Sequence, residues 1–193
     1  PVTSAHRGGR GGARLAVYVG SCCRRNSRPW EFQTVCEGRP NVIGRLEGGT
    51  GAPLLVLEAH MDTASELGMC KPPFEPRRDG DRMYGRGSCD TKAGLAAMMH
   101  SIKGVRASGL RPRVSVWLEA AGAEEHSFRG VVKFLEKGVQ AAGAIVAEPT
   151  NLETVVASKG VLRWRVLRWT PPGKLWVTML CARLGRRVFL PYQ

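Results

Sequence analysis

Residues 53–63, PLLVLEAHMDT, constrain the fold more than any other stretch of the chain. The run is almost continuously apolar, as a strand is when both faces of its sheet are covered. It ends on His60 and Asp62, which are two residues apart and therefore share a face. The neighbouring segments supply the cover. "NVIGRLEG" before it and "RPRVSVWLEAA" after it read as further strands, "AGAIVAEPTN" as another, and "TVVASKGVLRWRV" as one more extended segment. From Asp90, "DTKAGLAAMMHSIKGVRASG" has helical periodicity, an acidic start and Gly109 as a C-terminal stop, and "FRGVVKFLEKG" reads as a shorter helix. Strand, helix, strand, helix, strand predicts an α/β fold: a mostly parallel sheet with helices on both faces. In such sheets, sites form at the carboxyl ends of the strands.

With 193 residues, 43% of them hydrophobic, the chain is long enough to bury one real core. No apolar run approaches the roughly 18 residues of a membrane span. "LAVYVG" is too short for a secretory core, so the expected location is the cytoplasm, with the six cysteines as reduced thiols. The net charge of +13 sits at the ends. Residues 1–30 hold six arginines and no acid, residues 159–193 hold eight basic residues and no acid, and the segment between them is close to neutral. That placement argues against a nucleic-acid-binding core.

The chemistry-bearing residues fall at one edge of the expected sheet. His60 and Asp62 end one strand, Glu124 and Glu125 follow another, Glu148 ends a third, and Asp90 lies in the loop after "RMYGRG". Taken singly, a His-x-Asp pair is an ordinary surface pair and adjacent glutamates are a solvated face. Asp90 alone is a helix cap and Glu148 a loop acid. Their joint delivery to one sheet edge is what separates them from these readings.

The runs "LEAHMDT", "MYGRGSCDTKAGLAAM", "AEEHSFRG", "AIVAEPTN" and "ASKGV", in that order, resemble the zinc-dependent amidohydrolase and peptidase family of acetylornithine deacetylase, succinyl-diaminopimelate desuccinylase, aminoacylase and glutamate carboxypeptidase. The resemblance spans roughly residues 39–166. It implies two Zn2+ ions, with Co2+ or Mn2+ as substitutes, and metal ligands His60, Asp90, Glu125 and Glu148. Asp90 would bridge the ions, placed by turns at Gly85 and Gly87, and the peptide bond after it would be cis. Asp62 would hold the His60 ring, and Glu124 would be the general base. The implied reaction is hydrolysis of an amide in an N-acyl amino acid or small peptide, by a family that is homodimeric.

The resemblance also implies an acid where Ala123 stands, a further ligand histidine downstream, and a lid domain, whereas no histidine follows His126. The expectation is therefore an incomplete catalytic core at 39–166, lacking its lid and weakly active or inactive. A basic segment at 1–38 that does not read as an opening helix and a basic tail at 167–193 would flank it, either read out of frame or acting as arms that fold on a partner. The alternative function is a non-catalytic basic protein that binds nucleic acid or an anionic surface through its Arg-rich ends. Lys92 is open between a motif role and a solvated helix position. His126 as a replacement ligand is a weaker reading, and His100, on the helix after Asp90, reads as packed or exposed. Phe128, Trp117, Met98 and Met99 read as core.

Overall fold

The computed structural model describes residues 9–27 and 29–155, without the side chains of 9–11 and His126, and the backbone of three further strands between 161 and 188. Contacts divide the chain into two compact units, Pro1–Pro149 and Thr150–Gln193.

The first unit is built on five strands: β1 (Trp30–Cys36), β2 (Arg39–Leu46), β3 (Leu54–His60), β6 (Ser115–Ala121) and β7 (Gly143–Val146), in the spatial order β1-β2-β6-β3-β7. A small hairpin of β4 (Arg77–Asp79) and β5 (Arg82–Tyr84) stands apart from this sheet. β3 pairs in parallel with β6 on one side and β7 on the other, while β1–β2 and β2–β6 are antiparallel. Four of the five strands therefore point the same way, as the sequence predicts, with β2 reversed.

Helices cover both faces because adjacent residues of a strand point to opposite sides. On β2, Val42 joins a cluster with Ala59, Leu118 and Ala120, which α1 (Gly9–Asn26) and α2 (Ala93–Ala107) close with Val19, Cys23, Leu95, Met98 and Ile102. Ile43, one residue on, joins Val56 and Trp117 on the other face against Phe134 of α4 (Arg129–Leu135). Trp117, Met98 and Met99 thus pack as expected, whereas Phe128 is 56% exposed. It occupies a left-handed turn, φ 50°, just before α4, and that geometry turns the ring outward.

The main correction concerns the start of the chain. The sequence predicts no opening helix within 1–38, yet α1 fills residues 9–26 and β1 follows it. Glycine and arginine mask the pattern: Gly9, Gly11 and Gly12 lower the intrinsic helix tendency. Leu15, Ala16, Val19 and Cys23 nevertheless form a helical stripe that packs on the sheet, and tertiary packing stabilises such a helix. Residues 1–8 lie outside the described residues. In the second unit, β8 (Val161–Thr170) pairs antiparallel with β9 (Lys174–Arg183), which pairs antiparallel with β10 (Arg186–Val188). The expected extended segment at 154–166 is thus a strand from Val161 onward, and the rest of the tail, outside these strands, lies beyond the described residues.

Two acids are buried in the sheet itself. Glu58 of β3 and Glu119 of β6 are register partners and are 7% and 1% exposed. Burial pushes the Glu119 carboxyl up to about 9 from an ordinary 4.5, with the nearby Glu58 adding to it. The folded chain keeps that proton between pH 4.5 and about 9 while the unfolded chain releases it, so this group makes stability fall as pH rises through that window.

Two outcomes follow for stability. Val19→Ala, at a fully buried position of α1, costs roughly 2 kcal/mol in urea unfolding through lost methyl burial and the cavity left behind. An unchanged midpoint would mean that α1 does not pack on this sheet. Glu119→Gln raises stability near pH 7 by on the order of 2–3 kcal/mol and flattens its decline between pH 5 and 9. Melting curves across that range that run parallel to those of the parent would refute the buried neutral carboxyl.

Candidate metal centre

β3 ends at His60, and its ring is buried at 2% exposure, facing a group of acids delivered by other segments. His60 Nδ1 lies 3.0 Å from the Asp62 backbone carbonyl and 3.6 Å from the Asp62 carboxylate. The carbonyl therefore accepts the hydrogen bond, and the carboxylate acts through its charge. Asp62 thus meets the Nδ1 side of the ring with both its carbonyl and its carboxylate, on the side where the resemblance places it. Nε2 is left to face the acids. Asp90 Oδ1 is 3.0 Å from it, and Glu124 Oε2 and Glu148 Oε1 are each 3.9 Å away.

The Asp62 carboxylate serves another purpose. It accepts hydrogen bonds from the backbone N–H groups of Glu124 (3.0 Å) and Glu125 (3.3 Å). Burial works to raise the Asp62 pKa, but the His60 ring and those two N–H donors outweigh it and hold the group below the usual value. Asp62 thus ties the end of β3 to the turn α3 (Glu124–Ser127). That turn is bracketed by Ala123 (φ 59°) and Phe128 (φ 50°), both left-handed. Each such non-glycine residue costs about 1–2 kcal/mol, so the turn needs ties of this kind.

Asp90 is placed by an irregular loop. Asp90 (φ −107°, ψ 98°) and Thr91 (φ −131°, ψ 27°) are non-helical, so the regular helix α2 begins at Ala93 and not at Asp90, where the helical periodicity starts. The bond between them is cis. Gly87 has φ 81°, and a Cβ there would lie 2.5 Å from Lys92 Nζ and 2.6 Å from Thr63. Only glycine fits that corner. Lys92 is thus drawn back over the loop. Burial lowers its pKa, while Asp62, Asp90 and Glu125 pull the other way. It belongs to the site's electrostatics and is not a solvated helix residue.

Glu148 follows β7, and its backbone is tied to the Asp90 loop. The buried Thr91 hydroxyl donates to the Ala147 carbonyl at 2.7 Å, and the Ala147 N–H donates to the Glu58 carbonyl at 2.9 Å. At Gly94 any Cβ would collide with Ala147, so glycine permits the close approach of α2 to this strand end. Asn41, Glu58, Thr91 and Glu119 escape the sequence reading. The available signal is a polar residue inside an otherwise apolar strand, as in "LLVLEAH" and "SVWLEAA".

Among the described residues, one ligand atom each from His60, Asp90 and Glu125 lie within 4.8 Å of one another. Glu148 stands at the edge of this group through its 3.9 Å approach to His60. The electrostatics fit a cation. Burial raises the pKa of Glu124 and of Glu148, His60 opposes the rise in each, and neighbouring carboxylates add to it. Burial works against a charged His60, yet Asp62, Glu124 and Asp90 together push its pKa up to about 9. One imidazole with several carboxylates is a donor set for zinc or another borderline-to-hard divalent ion. The five cysteines whose side chains are described are free, and none belongs to this group.

The comparisons with known proteins agree with this geometry. The sequence model of "Peptidase family M20/M25/M40" matches residues 56–178, running past Val166, where the resemblance read from the motifs stops. The "probable succinyl-diaminopimelate desuccinylase" of Staphylococcus aureus is 30% identical over 141 residues, which cover 70% of this chain and 35% of that protein. The chain therefore spans about a third of the length of this curated relative. Human carnosine dipeptidase 1 shares the fold with a TM-score of 0.63 at 14% identity, over 78% of this chain and 34% of its own. An M20 family metallo-carboxypeptidase of Sulfolobus solfataricus does so with a TM-score of 0.60 at 22% identity, over 81% and 37%. With its mixed sheet, its strand-end cluster of histidine and acids, and a family match over most of its length, this chain belongs to the M20/M25/M40 family of metal-dependent peptidases.

Proposed function

We propose that this chain carries the metal-binding part of an amidohydrolase that cleaves the amide bond of N-acyl amino acids or small peptides, of the deacetylase, desuccinylase or carboxypeptidase type. The observation that supports it most is the convergence of Asp90, Glu124 and Glu148 on Nε2 of the buried His60, with Glu125 in the same cluster. The desuccinylase relative supports the acyl-amino-acid class of substrate.

In this reading His60, Asp90, Glu125 and Glu148 hold two divalent ions, zinc foremost, with cobalt or manganese able to replace it. Zinc supplies Lewis acidity, which polarises a carbonyl and makes water easier to deprotonate. Asp90 would be a ligand of these ions, since its carboxylate comes within 3.0 Å of Nε2 and has two oxygens to offer. Glu124 suits proton transfer. It lies within the cluster but outside the closest ligand group, and burial together with Glu148, Glu125 and Asp62 raises its pKa above that of an ordinary glutamate, against the pull of His60. Such a carboxylate takes a proton from the attacking water and returns it to the leaving amine. Asp62 keeps both glutamates in place through their backbone N–H groups.

Metal content is the first test, because it needs only residues on this chain. Purified protein dialysed against zinc and then against metal-free buffer retains zinc by elemental analysis, and Asp90→Asn lowers the retained amount at least about tenfold. Retention equal to that of the parent would refute the ligand assignment. Hydrolysis of N-succinyl-diaminopimelate, N-acetylornithine or simple N-acyl amino acids with added zinc or cobalt is the second. Glu124→Gln lowers kcat on the order of 10²-fold or more while zinc content is kept. A variant as active as the parent would remove Glu124 from proton transfer.

A further inference from the structure

One fully buried side chain outside the cluster holds the segment that carries two of its acids. Asn41, on β2, is 0% exposed. Its Oδ1 accepts the Gly122 N–H at 2.9 Å, and its Nδ2 donates to the Gly130 carbonyl at 2.9 Å and to Gln33 Oε1 at 2.8 Å. Glu119 Oε1 lies a little farther from the same nitrogen, at 3.3 Å. Gly122 and Gly130 are the two feet of the loop that contains Ala123, Glu124, Glu125 and Phe128. A single amide group therefore closes the neck of that loop.

The neck is built to this fit. A Cβ on Gly130 would run into the Gly122 carbonyl and lie 2.7 Å from Asn41 Oδ1, and a Cβ on Gly122 would lie 2.9 Å from the Pro40 carbonyl. Gln33 extends the brace, since its Nε2 donates to the Lys133 carbonyl of α4 at 2.7 Å. The chemistry at position 41 is specific. The partners are one N–H donor on one side and two carbonyl-type acceptors on the other, so only a group with both an acceptor and a donor satisfies them. A carboxylate there would face the Gly130 carbonyl, the Gln33 carbonyl oxygen and Glu119 with no proton to offer.

We propose that Asn41 is a positioning residue for the metal centre, acting through the loop Gly122–Gly130 to aim Glu124 and Glu125 at His60. The proposal rests on the metal-site reading above and adds a residue that touches neither metal nor substrate. It assigns the two sides of the strained turn to two ties: Asp62 holds the glutamate N–H groups from the front, and Asn41 holds the base.

The test is a titration of the full chain with cobalt(II) chloride, followed by visible absorption, which reports ligand geometry, and by circular dichroism for folding. Asn41→Asp, which is isosteric, and Asn41→Leu, which keeps the number of side-chain heavy atoms but removes all hydrogen bonding, bind cobalt at least about tenfold more weakly and with a changed visible spectrum. Ile43→Val, at an equally buried position two residues along β2, loses stability but keeps the parental affinity and spectrum. Folded Asn41 variants with parental cobalt affinity and spectrum would overturn the proposal. If these variants do not fold, amide hydrogen exchange on the metal-free parent decides. The N–H group of Gly122, which Asn41 accepts, exchanges as slowly as those of β6, and exchange at open-loop rates would overturn the proposal. A parent chain that takes up no cobalt would refute the metal-site reading itself, and the exchange rates would then judge Asn41 independently.

Discussion

Carboxylates repel one another, and this fold holds five of them around a single imidazole. Like charges at such spacing do not gather by themselves, so the backbone must be fixed before the side chains can converge. Each acid is accordingly delivered by a segment tied to its neighbour. Asp62 receives the N–H groups of Glu124 and Glu125, Thr91 binds the carbonyl just before Glu148, and Asn41 closes the loop beneath the two glutamates. The remaining architecture serves to bring those ties within reach of one another.

Two features of the sheet make this convergence possible. Parallel pairing of β6, β3 and β7 places three strand ends side by side, so the residues following each strand meet at one edge. The reversed β2 then brings its first residues, Asn41 among them, to that same edge, with Val42 opposite Ala120 in register. A sheet parallel throughout would carry the start of β2 to the far end. The single antiparallel insertion is thus what sets a buried amide under the glutamate loop, and α1 stabilises it by packing Val19 and Cys23 against the same face as Val42.

Burial and charge together explain the titration pattern. Away from the cluster, Glu119 is held neutral by desolvation, with Glu58 beside it adding to the effect. Within it, desolvation raises Glu124 and Glu148, while Asp62, Glu124 and Asp90 raise the pKa of His60. A site with this surplus of negative charge in a partly buried setting is one that a divalent cation would stabilise. The family to which the chain belongs is metal-dependent, and among the described residues His60, Asp90 and Glu125 form a candidate site for such an ion.

The amino-acid sequence determined the alternation of strands and helices in the middle of the chain, the apolar strand ending in His60, and the set of acids assembled beside it, because hydrophobic period and residue type are local properties that survive without neighbours. It concealed α1, since glycine and arginine outweigh a short apolar stripe until a sheet is present to bury it. It started the helical period at Asp90, although Asp90 and Thr91 are non-helical and the regular helix begins only at Ala93. It did not show that the Asp62 backbone carbonyl also reaches the His60 ring, since that depends on the path of the chain after β3. Asn41, Thr91 and Glu119 were unremarkable as letters, because a polar residue acquires its role from partners 56 to 89 positions away. Only the tertiary structure decides that, since hydrogen bonds and desolvation depend on which distant groups the folded chain brings within about 3 Å.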